Sequence, residues 1–529
     1  MHVSRIILLS IIALPIPLVV LLSFLTPTNI NMDIYWKSLL SSSYITASLL
    51  FLTIFLSLLW AVPTAFICRF FSFRGQRLWA YLLILPIAIP SYLNAFIFSD
   101  LFYYTGHMTL WLKRYVGIDL SLNIHSVFGA SLVLSLSLFP YIFFPLYMRL
   151  GSLPQNLFDV LSMQSRDFWM KVIMIALPFS IPIIIFSAAL IGMETLADFG
   201  TTSFFGVNSL SVFIFNLWAQ TSDSIFAIKM SFFFVLFIGS LLTLEYWVRP
   251  LKNITGAYDS GEPYSERVKL SSPIACLCSI ICFIPFFFGF FLPFGYFFIN
   301  TLFFHYDYIL SALMLLWNTA YPAFIASFLC GLVALLLSFW QKFEQVNIIQ
   351  KILISFSVSG YAFPGIILGL VILISTTSFD RMVNNVLPVG GTILSGSLFG
   401  LIFAYFLRFL TVAYGNIKPI SDQLSFSLFE ASKLMGYNKF QIIKLVFLPI
   451  LQKPIYVAFI LVFIDIVKEL PATLLLRPFG FESLATHSYN MAGLEQIAES
   501  SPSALMIIFF GMVACIIPFS TMRIKKDPV

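Results

Sequence analysis

The sequence predicts an all-α membrane protein with about twelve transmembrane helices in two parallel six-helix repeats. Three observations lead there: a composition too apolar for water, apolar runs of membrane-spanning length along the whole chain, and a pattern that recurs at a constant offset. The 529 residues are 60% hydrophobic and 10% charged, with a mean hydropathy of +0.97. A soluble chain carries about 25% charged residues and cannot cover a core of this size. A helix bundle in lipid needs apolar residues on both its inner and outer faces.

A hydrocarbon core about 30 Å thick takes about 20 apolar residues per helix. On that basis spans are predicted at 6–25, 44–67, 80–102, 126–148, 178–199, 225–248, 272–298, 319–340, 352–375, 391–410, 454–470 and 503–522. The first begins after Arg5 and ends in Phe24-Leu25-Thr26-Pro27, with no small-x-small cleavage site, so it reads as a retained targeting span. Of the 29 Lys and Arg residues, seven (Lys37, Lys113, Arg114, Lys229, Arg381, Lys468 and Arg477) fall on the side opposite the termini. The other 22, Arg408 among them, fall on the termini's side, which predicts cytoplasmic termini. A hydrophilic segment at 251–270 then divides a first repeat, 1–250, from a second, 271–529.

The repeats superimpose with an offset of 271. Leu177-Pro178 matches Leu448-Pro449, Glu194 and Asp198 match Asp465 and Glu469, and Asp159 and Ser165 match Glu430 and Gly436. Six spans per repeat makes the repeats parallel, related by an axis along the membrane normal. Each acid pair is four residues apart, on one helix face, and about 24–30 Å along the helix from its proline. Acids within spans normally face a bundle interior or an aqueous path. The alternative is structural: pairing with Lys468 and Arg477, or capping of span ends.

Before the eleventh span stands Glu430-Ala431-Ser432-Lys433-Leu434-Met435-Gly436, followed by Phe440, Ile443 and Leu448-Pro449. It predicts a helix, a glycine turn and a second short helix handed over at Pro449. This stretch resembles the EAA loop of ATP-binding-cassette importer permeases, which implies that it docks on a cytoplasmic ATPase and that the fold is that of the type I importer permeases. The first-repeat counterpart is degenerate, with Asp159-Val160-Leu161 and Ser165 in place of Glu-Ala-Ala and glycine.

The stretch Lys468-Glu469-Leu470-Pro471-Ala472-Thr473-Leu474-Leu475-Leu476-Arg477-Pro478-Phe479-Gly480-Phe481, and Met193-Glu194-Thr195-Leu196-Ala197-Asp198-Phe199-Gly200-Thr201 in the first half, are similar to the ferric-iron permeases of that class. The resemblance covers nearly the whole chain. It implies an inner-membrane permease working with a periplasmic iron-binding protein and a cytoplasmic ATPase pair, and an importer that releases iron to the cytoplasm. Carboxylate oxygen suits so hard a cation. Thiamine, a polyamine or a phosphonate would be carried by the same machine, and an ion-driven secondary transporter could share the two-repeat plan.

No glycine-rich phosphate loop with Lys-Ser/Thr occurs, so ATP is expected to be used by a partner chain and no cofactor by this one. The scattered basic residues make no nucleic-acid stripe. Cys68, Cys276, Cys278, Cys282, Cys330 and Cys515 all lie in or beside apolar runs and read as small buried hydrophobes. His107, His125, His305 and His487 show no metal-ligand spacing and read as solvated or packing residues. No His-rich or acid-rich loop cluster points to an enzyme.

Overall fold

The computed structural model describes residues 32–117, 123–153, 155–163, 170, 172–234, 236–240, 243, 267–303, 306–343, 346–386 and 392–522, with positions 19, 21 and 26. Among these, the chain is helical apart from a two-residue parallel pairing of Phe71–Ser72 with Val268–Lys269. Among the described residues, eight helices are long and apolar enough to cross a membrane, and up to ten if each of two bent pairs is one span. The protein is therefore an all-α, multi-span membrane protein. All but positions 19 and 21 of the predicted span at 6–25 and most of the 251–270 segment lie outside the described residues, and 225–248 does so in part.

Several spans differ from their hydropathic outlines for identifiable reasons. The predicted 80–102 span is a broken pair, Gln76–Ala88 and Ser91–Tyr115, bent by 92°. The predicted 352–375 span is likewise split into Ile348–Ser357 and Gly365–Val386. Both breaks precede a proline, whose ring pushes the residue before it out of the helical region. Ile89 is extended at φ −100°, ψ 117° and Phe363 at φ −89°, ψ 130°. The helix predicted at 391–410 runs instead from Leu398 to Gln423. Ser397 caps its start by accepting from the Phe399 amide, and a Lys418–Asp422 pair one turn apart carries it past the apolar run. Arg408 consequently lies inside this helix, 7% exposed, and not in a cytoplasmic connection as the charge count had it.

The described chain forms two compact units. One comprises Met1–Trp36, Phe213–Phe232 and Tyr306–Asn490; the other comprises Lys37–Val212, Phe233–His305 and Met491–Val529. The second thus gathers most of residues 1–250 together with the opening and closing helices of 271–529. Its packing is close. A Cβ on Gly289 would stand 2.7 Å from the Leu136 carbonyl, and one on Gly511 would stand 2.1 Å from that of Ala88, so only glycine lets these helices in.

In the same unit Cys68 and Cys282 bring their Sγ atoms to 3.9 Å across helices Met32–Phe70 and Ser272–Phe286. Mild oxidation of the membrane-embedded protein should therefore join Cys68 to Cys282 within one chain, since the thiols need approach by only about 2 Å. Peptide mass analysis reads the product. Unlinked thiols, or a link to Cys276 in preference, would show that the 272–286 helix packs elsewhere.

Candidate functional site

The glycine turn of the second half is built as its sequence suggests. Helix Phe426–Leu434 ends at Met435, and Gly436 follows in the left-handed region at φ +81°. The Gly436 amide donates to the Lys433 carbonyl at 2.9 Å and the Tyr437 amide to the Ser432 carbonyl at 3.2 Å. This is a Schellman termination, which satisfies the last carbonyls of the helix and favours glycine. The chain restarts at once: Asn438 accepts from the Gln441 amide at 2.9 Å while the Gln441 side chain accepts from the Asn438 amide at 2.8 Å. That reciprocal box launches Lys439–Ile442.

One face of this helix–turn–helix is anchored. Phe429, 2% exposed, stacks on Phe343 at 4.7 Å, and Phe447 meets Phe343 and Phe339 at 5.6 and 5.3 Å. Ser432 is buried beside it, its hydroxyl donating to the Leu428 carbonyl. The opposite face is open. Glu430, Ala431 and Lys433 are exposed, and Leu434, Met435 and Phe440 present 89%, 70% and 72% of their surfaces. A charged and apolar ridge on a firmly held base is suited to a groove on a partner.

The degenerate first loop shares the anchor. Helix Gln155–Met163 carries exposed Asp159, which accepts from the Gln155 side chain at 3.0 Å, and buries Phe158 against Phe70 at 6.3 Å. Phe158 and Phe429 are 271 apart, so the repeat offset could have found this anchor. Ser165 lies outside the described residues.

The two acid-bearing helices also match, each within its own unit. A five-residue π-helical turn, Val172–Ala176 in one and Ile443–Phe447 in the other, precedes the Leu-Pro step. Widening the turn there makes room for a proline ring that would meet the carbonyl four residues back. The helices Leu177–Ala197 and Leu448–Val467 then deliver Asp198 and Glu469 to equivalent ends. Asp198 accepts from the Ser91 and Thr201 hydroxyls at 2.8 and 2.9 Å and from the Thr202 amide at 3.1 Å. Glu469 accepts from the Ala472 amide at 3.2 Å. In both places the threonine four residues on, Thr202 or Thr473, donates its hydroxyl to the acid's own carbonyl. The second helix beyond also starts alike: the Leu210 amide donates to Thr46 at 2.9 Å and the Leu484 amide to Thr319 at 2.8 Å.

The equivalent acids differ in what neutralises them. Glu469 forms a buried ion pair with Arg408, Nη1 to Oε1 2.9 Å, with side-chain exposures of 5% and 9%. Gly365 makes the space: a Cβ there would fall 2.2 Å from Arg408 Nη1 and 2.5 Å from Glu469 Oε1. The cation that meets Glu469 is thus Arg408, and Arg477 meets Glu482 at 3.5 Å. Sequence reasoning missed the pair because Arg408 sits 61 residues away in an otherwise apolar helix. Glu194 and Asp465, one turn earlier, are half-buried.

Residues 332–524 match the family described as "Binding-protein-dependent transport system inner membrane component". The Fe(3+)-transport system permease protein FbpB 2 of Haemophilus influenzae is 24% identical over 471 residues, covering 84% of this chain and 83% of its own. The maltose/maltodextrin transport system permease protein MalF of Vibrio vulnificus is 26% identical over 134 residues, 25% of this chain and 26% of its own. The chain is a membrane permease component of an ATP-binding-cassette importer, a transport subunit of a class that works with an ATPase and a periplasmic binding protein.

Proposed function

We propose that this permease component moves ferric iron from a periplasmic iron-binding protein to the cytoplasm, across the inner membrane, with ATP hydrolysed by a cytoplasmic ATPase pair. The observation that carries the cargo is the alignment to the iron permease along most of both chains, where the maltose permease matches only a quarter. In this reading both termini and the 251–270 segment are cytoplasmic, and twelve spans form repeats 1–250 and 271–529. The ridge at Glu430, Ala431 and Gly436 docks on one ATPase subunit, with buried Ser432 bracing it from below. The loop around Asp159 and Ser165 docks on the other.

Among the acids, Glu194 and Asp465 serve the iron path, while Asp198 and Glu469 hold the helix ends that carry them. A structural part for Asp198 and Glu469 is supported by their own bonds: both carboxylates accept helix-capping bonds, and Glu469 is neutralised by Arg408. Import of labelled ferric iron should depend on this chain, the binding protein and ATP. Glu194→Gln with Asp465→Asn should cut import roughly tenfold at an unchanged membrane level, since removing acids from an ion path weakens cation entry; a variant that fails to accumulate would make these acids structural. Equal import of maltose in place of iron would reassign the cargo, and undiminished import by the double variant would remove these acids from the path.

A further inference from the structure

The geometry points to a ferric-ion receiving site made by Asp100, Tyr296 and His107 at one end of the unit that contains Lys37–Val212 and Phe233–His305. This inference rests on the iron reading and adds to it a place and a ligand set. Among the described residues no three His, Cys, Asp or Glu side chains converge on one point, so a site built only from those types is absent there. A phenol oxygen supplies a donor of a further type. The Tyr296 hydroxyl donates a hydrogen bond to Asp100 Oδ2. On the other carboxylate oxygen, His107 Nε2 lies 3.9 Å from Asp100 Oδ1.

Three features of the sequence bring these groups together. Helix Ser91–Phe102 ends at Tyr103, and the Gly106 amide turns back onto the Tyr103 carbonyl at 2.8 Å. A Cβ on Gly106 would stand 2.6 Å from the Leu101 carbonyl, so the reversal that returns His107 to Asp100 requires glycine. The third is the π-helical turn Phe287–Phe291, which re-phases the helix before Tyr296; such turns are frequent at functional sites.

The chemistry favours a cation. Asp100 stands in the last turn of its helix, where the backbone dipole is negative and disfavours a carboxylate. A metal ion there would relieve the repulsion. Carboxylate and phenolate oxygens suit a hard trivalent ion, and tyrosine and histidine both serve as ligands of iron. Adjacent oxygens around a small octahedral ion, each at about 2.0–2.1 Å, lie about 2.9 Å apart, a separation that two oxygens already in hydrogen-bond contact can adopt with little movement. Binding forms an Fe–O bond at Tyr296 and expels its proton to water, with no change in oxidation state. Water or chelator oxygens complete the shell. The carboxylate is 21% and the imidazole 76% exposed, so the site can exchange its ion with a donor outside.

The test uses the full chain in lipid nanodiscs, titrated with ferric nitrilotriacetate. The expected result is one equivalent of iron and a visible tyrosinate-to-iron charge-transfer band. Tyr296→Phe should abolish the band and weaken binding roughly tenfold or more. Tyr115→Phe, at an exposed tyrosine farther along the same segment, should leave both intact. Asp100→Asn keeps the phenol, and should retain a shifted band at similarly weakened affinity, which covers the case in which Tyr296→Phe does not fold. Iron import by the assembled importer is measured alongside. Import by the wild type without the band, or a band unchanged in both site variants, overturns the site and leaves the cargo reading standing. A band that depends on Tyr296 in an importer that does not move iron keeps the site and overturns the cargo.

Discussion

Gly436→Val is expected to uncouple the importer, lowering both ATPase co-purification and binding-protein-stimulated ATP hydrolysis by roughly tenfold or more. At φ +81° an L side chain pays about 1–2 kcal/mol, and a β-branched one more, while 1.4 kcal/mol is a factor of ten in the population of the docking-competent turn. Space is not the obstacle, because nothing lies within 4 Å of a Cβ built there. Two reasons for the glycine can therefore be told apart. If it serves the backbone alone, Gly436→Asn should retain most of the coupling, because asparagine tolerates the left-handed region. If the ATPase surface closes directly on its Cα, Gly436→Asn should fail as badly as valine.

Ser165→Val should cost less, because serine already places a side chain at the matching position of the first loop. Both loops rest on equivalent phenylalanines, Phe158 on Phe70 and Phe429 on Phe343. Equal losses from the two valine substitutions would defeat the asymmetry between the loops. Full coupling by Gly436→Val would take this ridge out of the docking role.

What could be read from the sequence follows a physical divide. Composition and run length report on solvent, so the membrane class and the helical character were legible at once. The offset of 271 reports on repeated backbone geometry, and it reappears in the π-turns before Pro178 and Pro449 and in the threonine bonds of Thr202 and Thr473. Hydropathy was blind to helix continuity. It ran through the breaks before Pro90 and Pro364, because a bent pair of apolar helices is as apolar as a straight one. It also could not locate Arg408: a charge buried by its partner looks in sequence like a charge at a membrane boundary. Contacts between distant segments, such as Tyr296 with Asp100 across 196 residues, leave no periodic trace at all.

Glu469→Gln should reduce the accumulated protein and its thermal stability in detergent, and this loss separates a structural acid from a pathway acid. Removing one member of a buried ion pair strands the other, at a cost of about 3–5 kcal/mol. Here the stranded group would be Arg408, whose Nε already has no hydrogen-bond partner in its buried position. Gly365→Ala should do comparable damage from the opposite direction, since its methyl would fall on both charged atoms of the pair. The positions 271 residues earlier carry no cation: Asn94 and Ser137, standing where Gly365 and Arg408 do, bond to each other at 2.7 Å, and Asp198 takes the Ser91 hydroxyl. The helix end therefore does not require an ion pair as such. Arg408→Met combined with Glu469→Gln should accordingly regain much of the stability that Glu469→Gln alone loses, because deleting both charges removes the stranded one. Normal accumulation of Glu469→Gln together with abolished iron import would instead place this carboxylate in the path beside Asp465. Failure of the double variant to recover would mean that the pair is needed for the helix end itself.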